Sequence, residues 1–445
     1  MSLISKKKLS LAVAMAAGLA VPGLASATNG YFAHGYGTQT KGLAGAGVAF
    51  SQDSMAAATN PAGMVLVGER FDIGIAAFSP IREYTASGTG GPQPPPAFNL
   101  GNGTVESDNE LFFIPHLGYN WMLDKNNSIG VSVYGNGGMN TEYPAAKTST
   151  AGTPFAGTYF AGKAGVDLSQ LFVAGTYAHK FAPNSAVGAS LIGVYQRFKA
   201  TGLGSFAGFS TDGSNLSNRG SDTSTGFGGK FGGQFDLGGG AAIGASYQTK
   251  MRMSEFSKYK GLFAEQGDFD IPATGTIGAA FNIMPGHTLV FDIQRIFYSD
   301  VAAIGNPFLP NLGICQASGG GPSGNPNCLG GSNGAGFGWE DMTIYKLGYQ
   351  FKVNPQWTLR AGYSQGDQPI PSSEVVFNIL APAVVEDHFT AGFTWNMDKK
   401  NELNFAAMYA PSKSQTGPNP LAAGGQTVRI EMKQYEFEIS WGMKF

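Results

Sequence analysis

The chain has 445 residues, only 13% of them charged against a usual share of about 25%, whereas Gly numbers 66 and aromatic residues make up 12%. Lys and Arg number 28 and Asp and Glu 30, so there is no basic surplus for nucleic acid, and no apolar run approaches the ~18–20 residues of a spanning helix, which excludes a polytopic helical membrane protein. A mean hydropathy of −0.06 with abundant Gly and aromatics instead fits strands that alternate apolar and polar side chains, the character of a transmembrane β-barrel.

Residues 1–27 read as a secretory signal. Lys6, Lys7 and Lys8 form the positive region, Leu9–Ala20 the apolar stretch, and Ala25-Ser26-Ala27 an A-x-A cleavage site before Thr28. An anchoring helix would need about 20 apolar residues. Residues 28–69 follow, rich in Gly and Ala with interspersed Val, Leu and Phe. They are too apolar for a solvated tail, and a wide barrel has room inside for more than its own side chains, so they are expected to fold inward as a plug.

From residue 70 the chain settles into period-2 alternation. The last segment is the clearest: Tyr435, Phe437, Ile439, Trp441, Met443 and Phe445 share one face, and Gln434, Glu436, Glu438, Ser440, Gly442 and Lys444 the other. Fourteen such segments are predicted: Arg70–Ser79, Glu110–Met122, Ser128–Asn136, Val166–Phe181, Ala186–Lys199, Thr223–Leu237, Ala241–Met253, Phe269–Ile283, Thr288–Ser299, Glu340–Lys352, Gln356–Gly366, Val384–Met397, Glu402–Tyr409 and Ile430–Phe445. Tight turns such as Leu123–Asn127, Gly238–Gly240 and Asp398–Asn401 alternate with long polar loops. Outer-membrane barrels sort short periplasmic turns from long extracellular loops in this way. The expected fold is therefore all-β: a fourteen-stranded antiparallel transmembrane β-barrel over residues 70–445, both ends periplasmic, with the N-terminal plug in its lumen.

Cys315 and Cys328 lie in one Gly/Pro/Asn-rich loop, a spacing that suggests a loop disulfide in an exported protein. The five histidines, His34, His116, His179, His287 and His388, are scattered without metal-ligand spacing. No metal and no cofactor is expected.

With these parts placed, the chain resembles the FadL/TodX family of outer-membrane transporters for long-chain fatty acids and hydrocarbons. Three stretches carry the resemblance: Gly42–Phe50 with Asp53 and the motif Asn60-Pro61-Ala62-Gly63; Phe291–Arg295 with Tyr298–Val301; and Gln356–Ser364, similar to the family's W-x-L-R-x-G-Y-S strand. The N-terminus, Thr28–His34, departs from the family's G-F-x-L-type start, and the loop Ile370–Val384 is unusually apolar. The resemblance implies uptake of a hydrophobic molecule through an apolar barrel pocket with lateral release. It makes Asn29, Tyr31 and Phe32 a latch, and places a gap in the wall near the third predicted strand, where Gly135-Asn136-Gly137-Gly138 suits a kink or bulge.

Apolar loop residues are expected to form a shared reception patch: Phe98, Leu100, Phe155, Tyr159, Phe160, Phe206, Phe209, Phe308, Leu309, Leu312, Val375, Val376, Phe377, Ile379 and Leu380. Strand parity points Lys346 and Arg360 into the lumen. There they either meet a carboxylate ligand or join a charge network with Asp292, Glu436 and Glu438, the better-supported reading of the two.

Two rival functions come from other classes. Gly362-Tyr363-Ser364-Gln365-Gly366 matches G-x-S-x-G, and with His388 on the neighbouring strand suggests a barrel-embedded lipase or esterase, although the nucleophile elbow requires a strand–turn–helix. A general porin is the other, opposed by the plug. The expected partners are a hydrophobic small-molecule or fatty-acid ligand, outer-membrane lipid and lipopolysaccharide, and the barrel-assembly machinery that reads a terminal strand ending in Phe445. The barrel is expected to be a monomer.

Overall fold

The protein is seen here as a computed structural model that describes residues 28–89, 92–93, 98–145, 156–422 and 424–445. The expected signal at 1–27 and Phe155 lie outside the described residues. The strands are β1 (Arg70–Ser87), β2 (Gly103–Glu106), β3 (Phe112–Met122), β4 (Asn127–Asn140), β5 (Gly165–Ala182), β6 (Ser185–Thr201), β7 (Asp222–Gly238) and β8 (Ala241–Gln248). They continue with β9 (Arg252–Met253), β10 (Thr274–Met284), β11 (His287–Ile296), β12 (Met342–Lys352), β13 (Trp357–Gly366), β14 (Asp387–Asn396), β15 (Asn401–Asn419) and β16 (Gln426–Lys444). Two are short additions: β2 pairs only with β1, and β9 only with β7. The other fourteen form an antiparallel meander that β16 closes against β1, from Arg70↔Lys444 to Ser87↔Thr427. Closure leaves no sheet edge unpaired at the seam, which a wall facing hydrocarbon requires.

Outward positions are apolar, as the alternation predicts: Ile73 and Ile75 on β1, Phe227 and Phe231 on β7, Phe437 and Ile439 on β16 are all exposed. One rim carries only short connections, and their chemistry is local. The Asp398 carboxylate accepts from the Lys400 and Asn401 amides (2.7 and 2.9 Å), the Asn354 side chain accepts from the Gln356 and Trp357 amides, and Asp124 accepts from the Asn126 amide. Gly238, Gly239 and Gly240 all have positive φ (76°, 62° and 85°), a run that side chains would oppose. β1 starts and β16 ends at this rim.

Several boundaries differ from the sequence reading. β1 runs on to Ser87, β15 to Asn419, and β16 begins at Gln426. These extensions are polar on their outer face (Glu83, Thr85, Ser412, Ser414, Thr427), so they lack the apolar stripe that marks a wall strand, yet they pair fully with one another. The predicted seventh strand stops at Gln248, and the eighth begins at Thr274 instead of Phe269. The long loop after β11 holds a helix, Phe308–Ala317, and the Cys315–Cys328 disulfide.

The lumen is layered. Inward positions of β16 run from the short-turn rim as Ser440, Glu438, Glu436 and Gln434, then change to Met432, Ile430 and Val428; β12 changes from Lys346 to Ile344 and Met342, and β15 from Glu402 and Asn404 to Ala406 and Met408. The lower layer is polar and the upper layer apolar. The upper layer continues into the loops as one buried cluster.

Candidate functional site

The polar layer is occupied by the N-terminal segment. From Thr28 to Val65 nearly every residue is buried, although only short helical turns form (Thr38–Lys41, Ala56–Thr59, Pro61–Val65). The Asn60 side chain caps the last turn by accepting from the Ala62 amide (3.1 Å), while its Nδ2 donates to the carbonyls of Val48 (2.6 Å) and Gly233 (2.9 Å). Asn60-Pro61-Ala62-Gly63 is thus a small helical cap bonded to the wall. The wall gives it space: a Cβ on Gly232 would lie 2.1 Å from Asn60 Oδ1, and one on Gly188 would lie 2.5 Å from the Pro61 backbone.

Charges fasten the segment. Lys41 Nζ lies 2.6 Å from both Glu436 and Glu438, and Asp292 accepts from the Gly47 and Val48 amides (2.8 and 3.0 Å). Arg70 bridges Asp72 and Glu402, and Asp72 accepts from the Ser54 amide. Lys346 and Arg360 both point inward, and both engage this segment. Lys346 Nζ donates to the His34 carbonyl (3.0 Å), and Arg360 donates to Gln39 (2.8 Å), Gln52 (2.9 Å) and Thr394 (2.7 Å). Neither reaches the apolar layer. Asp53 is buried among them, and desolvation, with Asp72 beside it and Arg70 opposing, pushes its carboxyl up to about 7.

Residues 29–33 climb out of the polar layer into the apolar one. Tyr31 and Phe32 are buried; the Tyr31 ring packs on Phe32, Phe269, Tyr298 and Trp339 at centroid distances of 5.2, 6.2, 5.3 and 6.0 Å. Tyr298 Oη accepts from the Tyr31 amide (3.1 Å) and donates to the Asn29 carbonyl (2.6 Å). The Asn29 side chain is buried without a hydrogen-bond partner among the described residues, and the buried Tyr31 hydroxyl is near Gln170. Beside Tyr31 lies a narrow cavity lined by Phe78, Met139, Trp339, Ala381 and Met432, with an unfilled volume of about 20 Å³, room for roughly one water.

The wall next to Tyr31 is interrupted. β3 and β4 pair only from Met122↔Ser128 to Leu117↔Val133. Beyond that β3 continues along β1 to Phe112 and β4 along β5 to Asn140, with a bulge at Asn136 where the register slips between Gly135 and Gly137. The freed edge of β4 is taken by the N-terminal segment: the Ala33 amide donates to the Asn136 carbonyl and the Gly138 amide to the Tyr31 carbonyl, both at 2.9 Å. Gly137 lets the chains meet, since a Cβ there would lie 1.8 Å from the Tyr31 carbonyl oxygen.

The expected reception patch is corrected. Phe98, Leu100, Tyr159, Phe160, Phe206, Phe308, Leu312, Val375, Val376, Phe377, Ile379 and Leu380 are buried against one another and against the upper lumen. The loops fold across the barrel mouth, so their apolar residues form its ceiling; Phe209 and Leu309 alone among the described members are half-buried. Ser364 and His388 face each other across β13 and β14, with Oγ and Nδ1 3.3 Å apart. Both lie within strands whose mutual pairing is unbroken, and the adjacent Asp387 carboxylate is engaged by Tyr363 and Lys413. No group of three or more His, Cys, Asp or Glu suited to a metal ion occurs among the described residues. Sequence reasoning quoted Tyr298 only within a family motif and put it in a strand, which in fact ends at Ile296, and it missed Trp339; both hold Tyr31 in place from beyond the ends of strands, where period-2 patterning is silent.

Two expectations follow. Gly232→Leu forces a side chain into Asn60 and should destabilise the seated segment by about 1–3 kcal/mol, read as protease sensitivity of residues 28–69 in a barrel that still resists heat. For Asp53, a folded value near 7 lies above the ordinary ~3.9. The protonated form therefore favours the seated segment, a contribution present below about pH 4 and lost as pH rises through 7. Stability of wild type relative to Asp53→Asn should fall between about pH 4 and 7 and level off above, measured as the difference between the two in denaturant unfolding.

Residues 19–435 match the family described as outer membrane protein transport protein (OMPP1/FadL/TodX). Solved structures share the fold. The Pseudomonas putida toluene transporter TodX aligns over 93% of this chain and 99% of its own at 18% identity and a TM-score of 0.66. A Pseudomonas aeruginosa FadL homologue aligns over 94% and 100% at 16% and 0.65, and the Ralstonia pickettii toluene transporter TbuX over 93% and 99% at 18% and 0.61. No curated protein sequence matches. With a match across most of its length and a closed fourteen-stranded wall, the chain belongs to the OMPP1/FadL/TodX family of outer-membrane transport proteins.

Proposed function

We propose that the protein is an outer-membrane channel for uptake of hydrophobic molecules, in which the N-terminal segment is a plug, Asn29, Tyr31 and Phe32 are its latch, and the interruption between β3 and β4 is the way out. The observation that carries this reading is that one stretch, residues 29–33, both fills the apolar upper lumen and covers the freed edge of β4. A ligand that takes the place of Tyr31 and Phe32 gains the transfer of its apolar surface, about 0.8 kcal/mol per CH₂, and displaces the segment that seals the wall. Solved relatives described as toluene transporters and monoaromatic hydrocarbon channels are consistent with apolar cargo. Lys346 and Arg360 serve the plug in this scheme, since their hydrogen bonds go to His34, Gln39 and Gln52.

Deleting residues 28–32 tests the latch. The truncated barrel should stay heat-resistant while affinity for a hydrophobic ligand and its uptake both change; unaltered uptake in a stable, inserted truncation overturns the latch. Ion conductance of the intact protein should be small, which separates it from a general porin. Family members are transport proteins; an esterase acting through Ser364 would lose turnover in Ser364→Ala, whereas the channel has none to lose.

A further inference from the structure

The stretch that carries Tyr31 is closed on itself. Gly30 has φ 64°, the Phe32 amide donates to the Asn29 carbonyl (3.1 Å), and the Asn29 amide returns to the Phe32 carbonyl (2.9 Å), the pattern of a tight turn. Thr28 adds its amide and its hydroxyl to that same Phe32 carbonyl, each at 3.0 Å. Residues 28–32 are thus a small hook with its own internal bonds, and it can leave its seat without giving them up.

One side chain from elsewhere reaches into the hook. Tyr298 Oη accepts from the Tyr31 amide and donates to the Asn29 carbonyl, so a single hydroxyl spans the two residues that flank Gly30. The fit is close: a Cβ on Gly30 would lie 2.4 Å from that oxygen. Tyr298 is itself fixed from the far side. Trp339 meets its ring edge-on at 5.1 Å and anchors its own Nε1 on Asn378 (2.6 Å), while Ser299 gives its amide and hydroxyl to Asp341 (3.1 and 2.7 Å). Nothing in that support travels with the hook. An apolar body can replace the ring contacts of Tyr31, but it leaves the buried Tyr298 hydroxyl without a partner, which is costly.

We propose that the Tyr298 hydroxyl is the catch of the latch, a positioning group that sets how readily cargo displaces Tyr31. This rests on the latch reading above and adds its regulation. The catch acts on backbone groups, through hydrogen bonds that the cargo does not make.

The test is equilibrium binding of butylbenzene, a probe with no polar group, to the purified protein in detergent. Tyr298→Phe keeps the ring and its packing on Tyr31, Phe32 and Trp339. It should bind the probe about tenfold more tightly than wild type, the worth of two lost hydrogen bonds, with unchanged heat resistance. In protein lacking residues 28–32 the same substitution should change nothing, because no hook is left to catch. Equal or weaker binding by Tyr298→Phe overturns the proposal. So does an equal effect in the truncated protein, which would make Tyr298 a direct contact of the probe. If truncation alone leaves affinity unchanged, the latch reading fails and the catch with it; if truncation changes affinity and Tyr298→Phe does not, only the catch fails. Hydrogen exchange on wild type needs no variant to fold: butylbenzene should speed exchange at the Tyr31 amide, and protection retained with the probe bound overturns the catch.

Discussion

The structure depends on the way charges are answered inside the barrel. A lumen closed to bulk water cannot hold Glu436 and Glu438 side by side unless a cation lies between them, and that cation, Lys41, comes from the N-terminal segment. The same holds for Asp292, which takes its hydrogen bonds from the Gly47 and Val48 amides. Wall and N-terminal segment are therefore parts of one electrostatic arrangement. The short helical turns of the segment hold their place because the wall supplies partners that a chain this poor in regular structure cannot supply for itself.

Much of the fold was legible in the sequence because its signals are local. Alternation in Tyr435–Phe445 marks a wall strand, and turns such as Asp398–Asn401 are closed by the side chains that name them. The change of layer was harder to see. It concerns only inward residues, as in Glu438, Glu436, Gln434, Met432 and Ile430, and a reading that asks which positions are apolar outward passes over it. The extensions of β1 and β15 escaped for a related reason: above the membrane no outward apolar stripe is required, so Thr85 or Ser414 reads as loop.

The site was partly legible. Tyr31 and Phe32 could be named because the family resemblance implies a latch there, and Gly135–Gly138 because Gly-rich strand ends suit a bulge; the slip between Gly135 and Gly137 is that bulge. Lys346 and Arg360 could be pointed inward by parity, but parity does not give height along the strand, and height decides whether they meet the N-terminal segment or the apolar layer above it. The loop aromatics were read as a surface for the same reason. Phe206 or Phe377 has no period to say that another loop, far away in sequence, lies over it.

The sealing of β4 is made by backbone groups, through the Asn136 carbonyl and the Gly138 amide, and not by side chains. In the proposed release, withdrawal of residues 31–33 would thus be an exchange between ladders. Each donor and acceptor left bare in a dry wall costs on the order of 1–3 kcal/mol, so in that reading the wall would open over a discrete barrier instead of through a continuous range of widths. Pairing of this kind also reads almost nothing of the identity of the residues that supply it. The side-chain chemistry of positions 29–33 therefore answers to the apolar layer they fill and not to the bulge that receives their backbone.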